Sequence, residues 1–258
     1  MYPLSAAAFS SRPQQCLNDL FPENQYERMI TVGCDSLKKE TCAAFTAISL
    51  SNNSIIISFR GSADDFQVIE EAGSIFNKQD PFITGGKVNS YFYNAFLKLW
   101  NAGIKDDFLK LKNANPTYEL WITGHSLGAA MASLCAAEIV KSGYFVADKL
   151  KLITFGQPRT GDKDYAEAHN LLMNYSYRVV HAHDIVPHLP TDGFENYQHH
   201  KSEIWFNNAM LTSESGYIEC DEDESKLCSD GQLDLSIDDH RSYYGRDIMT
   251  WASNGCNY

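Results

Sequence analysis

The sequence lacks an apolar segment suited to a lipid bilayer. Two windows, residues 41–59 and 120–137, carry no Asp, Glu, Lys or Arg for about the length of a membrane span, but polar residues and glycines interrupt both. The N-terminus, MYPLSAAAFSSRP, has no basic region ahead of its short apolar stretch, so it does not resemble a signal peptide. We therefore predict no transmembrane segment and interpret the N-terminus as the mature start of a processed chain.

Basic residues are scarce relative to acidic ones. The chain has 21 Lys and Arg against 33 Asp and Glu, for a formal net charge of −12. A field this acidic repels nucleic-acid phosphates and anionic lipid headgroups. Nucleic acid is therefore excluded as an expected partner.

Repeats, low-complexity tracts and Pro- or Ser-rich linkers are also missing, which predicts one domain over residues 1–258. Residues 45–50 and 55–59 are β-rich runs joined by a polar turn, the pattern of a hairpin. Further predicted strands alternate with helical patterns: strands at 119–123, 151–155, 175–181 and 202–206, and helices at 88–100, before Pro116 and at 127–142. The alternation predicts an α/β fold with a largely parallel sheet covered by helices on both faces.

The seven cysteines fall into a suggestive arrangement. Two pairs are close in sequence, one pair lies near the two chain ends, and one residue is left over: Cys34 with Cys42, Cys220 with Cys228, Cys16 with Cys256, and Cys135. Three disulfides and one buried thiol would place the protein in an oxidising, extracellular compartment, whereas seven reduced thiols would indicate the cytosol. Glycosylation sequons at Asn52 and Asn174 are compatible with the first interpretation.

The pattern Gly124-His125-Ser126-Leu127-Gly128 lies between a predicted strand and a predicted helix. This is the context of a nucleophile elbow, in which the serine takes a positive φ and the residues two before and two after it must lack bulk. Gly124 and Gly128 meet that requirement. The helix that follows directs its free N–H groups and positive dipole end toward a developing oxyanion. The alternative is a glycine-rich turn with an incidental serine.

A serine nucleophile needs a histidine base and a carboxylate that orients it, in the chain order Ser, acid, His. Asp184 follows a predicted strand at the edge where a site would form, while the alternative acids Asp192 and Glu195 lie further into a loop. Position favours His240, which precedes the last aromatic segment. Four histidines follow the acid and remain candidates for the base: His188, His199, His200 and His240.

No sequence pattern predicts a metal site. The histidines near the candidate acid lack the helical spacing of zinc ligands. The acidic run 219–224 begins like a calcium loop, but Lys226 and Gln232 stand where such a loop needs its glycine and its bidentate glutamate. We expect an exposed loop clipped by Cys220 and Cys228.

Five ordered motifs together resemble the class-three lipase family, the fungal-lipase-like branch of the α/β-hydrolases, and most closely its secreted nematode-type members. The motifs span nearly the whole chain: IISFRGS at 56–62, ITGHSLG at 122–128, FGQPRTG at 155–161, HDIVP at 183–187 and DHRSYYG at 239–245. The resemblance implies an α/β-hydrolase fold with Ser126 as nucleophile, Asp184 as acid and His240 as base. It also implies an oxyanion hole formed by the backbone N–H groups of Ser62 and Leu127.

The resemblance further implies a secreted serine ester hydrolase of the triacylglycerol lipase type, working without a cofactor on acylglycerols at a lipid–water interface. Residues 63–76 correspond to the family's lid. The spacing of apolar residues in 63–72 predicts a short amphipathic helix. This segment has four acids, which disfavour an anionic lipid surface, and no tryptophan, so the sequence does not decide whether the enzyme is activated at an interface. The alternatives are a phospholipase or an esterase for soluble or feruloyl-type esters on the same triad, or a non-catalytic secreted lipid-binding protein.

Overall fold

The computed structural model of the protein describes residues 1–21, 23–34, 40–61, 75–212 and 214–257. In chain order the strands are β1 (Asn24–Gly33), β2 (Thr41–Ser49), β3 (Ser54–Arg60), β4 (Gln79–Pro81), β5 (Lys87–Asn89), β6 (Glu119–His125), β7 (Leu150–Phe155), β8 (Gly161–Asp162), β9 (Ser176–His181), β10 (Tyr197–Gln198), β11 (Glu203–Phe206), β12 (Ile218–Cys220), β13 (Ser242–Tyr243) and β14 (Arg246–Asp247). The α-helices are α1 (Tyr2–Ala7), α2 (Pro13–Leu20), α3 (Ser90–Leu99), α4 (Lys105–Ala114), α5 (Leu127–Lys141), α6 (Lys163–Leu172), α7 (Ile237–Arg241) and α8 (Ile248–Ser253).

Within the described ranges, the main sheet has eight strands in the order β1-β2-β3-β6-β7-β9-β11-β12. The five inner strands from β3 to β11 run parallel, and the outer pairings at both edges are antiparallel. The predicted hairpin is present, since β2 and β3 pair with Ser49 opposite Ser54. The largely parallel sheet confirms the predicted α/β class.

Apolar side chains fill a core on each face of this sheet. In β3, Ile55, Ile57 and Phe59 pack with buried residues of α3, α4 and α5, whereas Ile56 packs with buried residues of α1, α2 and α8. Alternate residues of a strand point to opposite faces, so an unbroken apolar run such as this one suits a strand that is covered on both sides. The two helical layers therefore follow from the sequence of the inner strands.

The segment predicted as one helix over 88–100 is divided in the structure. Val88 belongs to β5, and α3 begins at Ser90 because the side chain of Asn89 accepts hydrogen bonds from the next helical N–H groups at 2.9 and 3.2 Å. Asparagine at this position is a strong helix N-cap. Gly103, with φ of 135°, then separates α3 from α4, as the predicted second helix required. The helical spacing did indicate a helix, but the N-cap at Asn89 places the first residue of this helix at Ser90.

Disulfides join the three cysteine pairs expected from the sequence: Cys16–Cys256, Cys34–Cys42 and Cys220–Cys228. Cys135 is a buried free thiol on α5. The Asn52 and Asn174 side chains are exposed, and their glycosylation stays a prediction. Among the helices that the structure describes, none has the length and apolar character needed to cross a membrane.

The acidic run 219–224 differs in part from the exposed loop that was predicted. Cys220 and Cys228 do clip it, but its last two acids turn inward. Asp223 accepts hydrogen bonds from two side-chain amides, and Glu224 pairs with the buried guanidinium of Arg159. Sequence pattern could not show this, because the buried cation comes from a distant segment.

Candidate active site

Ser126 occupies the sharp turn between β6 and α5. Its backbone has φ of 58° and ψ of −129°, a conformation that residues with a side chain rarely adopt, and its side chain is fully buried. Strain of this size persists only where the surroundings enforce it, and it is characteristic of active sites. The Ser126 hydroxyl makes no hydrogen bond to any described residue. The turn has the geometry of a nucleophile elbow.

The two glycines flanking the turn are required by close backbone approach. A Cβ atom on Gly124 would lie 2.3 Å from the carbonyl oxygen of Gly128, and one on Gly128 would lie 2.4 Å from the carbonyl oxygen of Phe59. Either contact would force β3, β6 and α5 apart. The small residues at these two positions therefore permit the tight turn.

Asp184 and His240 form a buried pair at the same edge of the sheet. Asp184 lies three residues beyond β9, and His240 lies on the short helix α7. The Nδ1 atom of His240 is 2.9 Å from both carboxylate oxygens of Asp184, and both side chains are inaccessible to solvent. A carboxylate in this position fixes the imidazole tautomer with Nδ1 protonated and stabilises an imidazolium.

The carboxylate of Asp184 receives further donors. The hydroxyl of Tyr243 donates to Oδ2 at 2.6 Å, and the backbone N–H of Val186 donates to Oδ1 at 2.8 Å. Burial alone would raise the pKa of Asp184, but the facing His240 and these donors outweigh it and hold that pKa below its ordinary value. The group is therefore an anion at neutral pH.

His125, the residue before the elbow serine, supports His240 from the other side. Its ring stacks on the His240 ring with centroids 4.4 Å apart, and its Nε2 atom lies 2.8 Å from the His240 carbonyl oxygen. Because a carbonyl only accepts, Nε2 carries the hydrogen. Burial first, and then the neighbouring His240, lower the pKa of His125 to about 3, so the ring is neutral and adds no positive charge to the site.

Gly156 follows β7 and lies between the Ser126 turn and the acid–histidine pair. It follows Phe155, whose carbonyl accepts the N–H of Ser126 at 3.0 Å. A Cβ on Gly156 would lie 2.7 Å from an Asp184 oxygen and 2.8 Å from the His240 ring, and its φ is 55°. Glycine is thus needed here for the pair to approach the sheet edge. The Ser126 turn and the acid–histidine pair therefore lie at the same edge of the sheet.

The remaining predicted positions are the oxyanion residues, the lid and the alternative histidine bases. Ser62 and most of the candidate lid, 63–76, lie outside the described residues. Leu127 is the first residue of α5, where a helix N–H has no intrahelical partner. His199 and His200 use their ring nitrogens elsewhere, on the Pro187 carbonyl and on Ser133 and Gln157. In the described part of the chain, no group of three or more His, Cys, Asp or Glu residues could hold a metal ion.

Three residues of the site were not singled out from the sequence. His125, Gly156 and Tyr243 contact the acid–histidine pair, although only the elbow serine, the acid and the base were assigned roles. Each lies inside one of the quoted motifs, at 122–128, 155–161 and 239–245. Motif membership was therefore the available signal, but it does not say which neighbour a side chain contacts.

Comparisons with known proteins agree with this geometry. The sequence model of the family described as Lipase (class 3) matches residues 56–194, more than half of the chain. The chain belongs to the class 3 lipases. A lipase of Caenorhabditis elegans, ZK262.3, is 31% identical over 98% of this chain and 80% of its own length. The class 3 lipases are ester hydrolases, and this chain shares their sequence signature through both the elbow and the acid segment.

Two further comparisons concern a relative and a solved structure. The secreted mono- and diacylglycerol lipase 1 of Fusarium solani is 30% identical over 90% of this chain and 69% of its own length. A solved triacylglycerol lipase, described as having a serine protease triad at its catalytic centre, superposes with a TM-score of 0.81 at 26% identity, over 96% of this chain and 93% of that one. This likeness confirms the α/β-hydrolase fold expected from the resemblance.

Proposed function

We propose that this class 3 lipase cleaves carboxylic esters through an acyl-enzyme on Ser126, with His240 as base and Asp184 as its orienting acid. The observation that carries the proposal is the fully buried contact of 2.9 Å between the His240 ring and the Asp184 carboxylate, beside a serine on a strained elbow. The triad of the solved lipase described above supports it as well.

In the proposed reaction, the Ser126 hydroxyl attacks the ester carbonyl and passes its proton to Nε2 of His240. The same imidazolium then donates that proton to the departing alcohol, and water hydrolyses the acyl-enzyme by the reverse sequence. Asp184 stabilises the imidazolium in both halves. The developing oxyanion faces the N–H of Leu127 at the start of α5, joined in our proposal by the N–H of Ser62.

We propose acylglycerols as the substrates, bound at a lipid–water interface, and an extracellular location. The relatives named above are lipases, and one of them is described as secreted and as acting on mono- and diacylglycerols. The three disulfides support an oxidising compartment. No cofactor is required by the proposed chemistry.

The decisive variant is Ser126→Ala, assayed on emulsified tributyrin and on a soluble p-nitrophenyl ester. Loss of a triad nucleophile should lower kcat by at least about 10⁴-fold, because only binding and oxyanion stabilisation remain. Ser142→Ala, at the far end of α5 where the hydroxyl donates to Glu138 at 3.0 Å, is the matched control and should keep full activity. Near wild-type hydrolysis by Ser126→Ala would refute the assignment.

Two further measurements separate the alternatives. An organophosphate serine reagent should label Ser126 in the wild type, whereas a non-catalytic lipid-binding protein would leave it unlabelled. A panel of long-chain triacylglycerol, diacylglycerol, phosphatidylcholine and a feruloyl ester should then favour the acylglycerols. Faster turnover of the phospholipid or the feruloyl ester would replace the proposed substrate class while keeping the triad.

A further inference from the structure

The segment that follows Asp184 is held by a residue from another motif. Two consecutive carbonyls of residues 184–190 accept hydrogen bonds from Arg159: Leu189 from its backbone N–H at 2.9 Å, and Pro190 from its guanidinium at 2.8 Å. The Arg159 side chain is only 1% exposed. A buried guanidinium is costly unless its remaining donors are paired, so its other partners decide where this segment lies.

Those other partners come from the disulfide-closed loop. Nε and Nη2 of Arg159 donate to the two oxygens of Glu224 at 2.9 and 2.8 Å, the bidentate geometry that Arg–carboxylate pairs favour. Nη2 also donates to Asp230 at 3.0 Å. Glu224 lies between Cys220 and Cys228, which are bonded to each other, and Asp230 lies two residues beyond Cys228. The disulfide therefore limits the conformations of the segment that carries Glu224 and Asp230.

Glu224 reaches the acid segment by a second path. Its Oε1 atom accepts the backbone N–H of His199 at 2.7 Å, and the His199 ring donates from Nε2 to the carbonyl of Pro187 at 2.7 Å. His199 is 3% exposed, so this contact is also shielded from water. The Glu224 carboxylate is thus linked, through Arg159 and His199, to the carbonyls of residues 187, 189 and 190. All three lie within six residues of Asp184.

We propose that the loop closed by Cys220 and Cys228 is a positioning element for the triad acid, with Glu224 as its contact residue. It holds the segment after Asp184 so that the carboxylate meets the His240 ring. This inference rests on the proposed function, since it concerns the same triad.

The first test compares Glu224→Gln with Glu222→Gln, an exposed acid of the same loop whose substitution changes the net charge equally. Glu224→Gln should lower kcat on a soluble ester by tenfold or more and leave KM within twofold, because a displacement of about 1 Å at a catalytic group can cost on the order of 10²-fold. Glu222→Gln should match the wild type. Equal kcat values for the two variants would overturn the proposal.

A second test asks whether the effect passes through Asp184. In the Asp184→Asn background, where the carboxylate is already lost, adding Glu224→Gln should change kcat by less than twofold. A merely destabilising substitution would instead lower kcat by the same factor in both backgrounds, and that additive result would count against a positioning role. All variants are assayed well below their unfolding temperatures.

A third readout does not depend on activity. The N–H of Val186, which donates to Asp184, should exchange with deuterium at least tenfold faster in Glu224→Gln than in Glu222→Gln, while amides of β6 keep their wild-type rates. Identical Val186 exchange in both variants would refute the proposal. If Glu224→Gln does not fold, Asp230→Asn, which removes one contact of Arg159, replaces it with the same expected direction. Should Ser126→Ala stay active, the proposed function fails, while this exchange result still reports on the loop.

Discussion

Acidification should destabilise this protein through four buried histidines. Burial is the main cause that lowers their pKa values, to about 3 for His125 and His169 and well below the ordinary value for His199 and His200. Between its folded pKa and the ordinary value near 6.5, each histidine binds a proton only in the unfolded chain. The free energy of unfolding therefore falls as the pH is lowered through this range, and it is fully restored above pH 6.5.

The size of the effect follows from the same shifts. His125 and His169, whose folded pKa is about 3, each contribute about 1.4 kcal/mol per pH unit below the unfolded pKa, which gives about 2 kcal/mol each at pH 5. The two histidines with a pKa of about 3 together give about 4 kcal/mol at pH 5, a large share of the stability of a typical domain at about 5–15 kcal/mol, and His199 and His200 act in the same direction. The protein should therefore be markedly less stable at pH 5 than at pH 7.5, before most carboxylates titrate.

The assay is urea unfolding followed by circular dichroism at pH 7.5, 6.5, 5.5 and 5. His169→Gln removes one of the four histidines. It is suitable because the His169 ring stacks on His200 with centroids 3.8 Å apart and hydrogen-bonds Ser176 at 3.1 Å, without contacting Ser126, Asp184 or His240. The free energy of unfolding of this variant should depend less steeply on pH than that of the wild type. A wild-type free energy of unfolding that stays constant within about 1 kcal/mol from pH 7.5 to 5 would refute the reasoning.

Three other perturbations test the site and its support. Gly156→Ala places a Cβ 2.7 Å from an Asp184 oxygen and should lower kcat by about 100-fold; wild-type turnover would contradict this. Tyr243→Phe removes the hydroxyl that donates to Asp184 at 2.6 Å and should lower the free energy of unfolding by about 2 kcal/mol in urea titrations. Replacing Cys16 and Cys256 by serine opens a loop with a sequence separation of 240 and should cost about 5 kcal/mol, so a Tm change under about 5 °C would argue against this.

Much of the fold could be predicted from the sequence, because local patterns fix local structure. The inner strands read as apolar runs and α5 as an alanine-rich helix, and both appear within two residues of the predicted bounds. The edge strand β1 was not predicted, because its side chains are only partly buried and it carries charges among apolar residues. An edge strand is specified by its neighbour β2 as much as by its own sequence.

For the site, the sequence indicated the elbow more firmly than the base. Gly124, Ser126 and Gly128 are contiguous, so their steric requirement is visible along the chain. Position favoured His240 but left four histidines as candidates for the base until the family resemblance selected it, because the sequence does not show whether a histidine faces an orienting carboxylate or fills a core. Their hydrogen-bond partners in the structure distinguish these histidines, since His199 contacts a backbone carbonyl whereas His240 contacts a buried carboxylate.

The sequence by itself determined the sheet class and indicated the turn at Ser126 and the two cysteine pairs close in the chain, because each depends on spacing or on residues near one another in sequence. Only the tertiary structure decided which side chains surround Asp184 and where the guanidinium of Arg159 finds its acids. Those contacts join segments up to 71 residues apart. Their geometry depends on how the helices and loops pack on the sheet, and no local pattern carries that information.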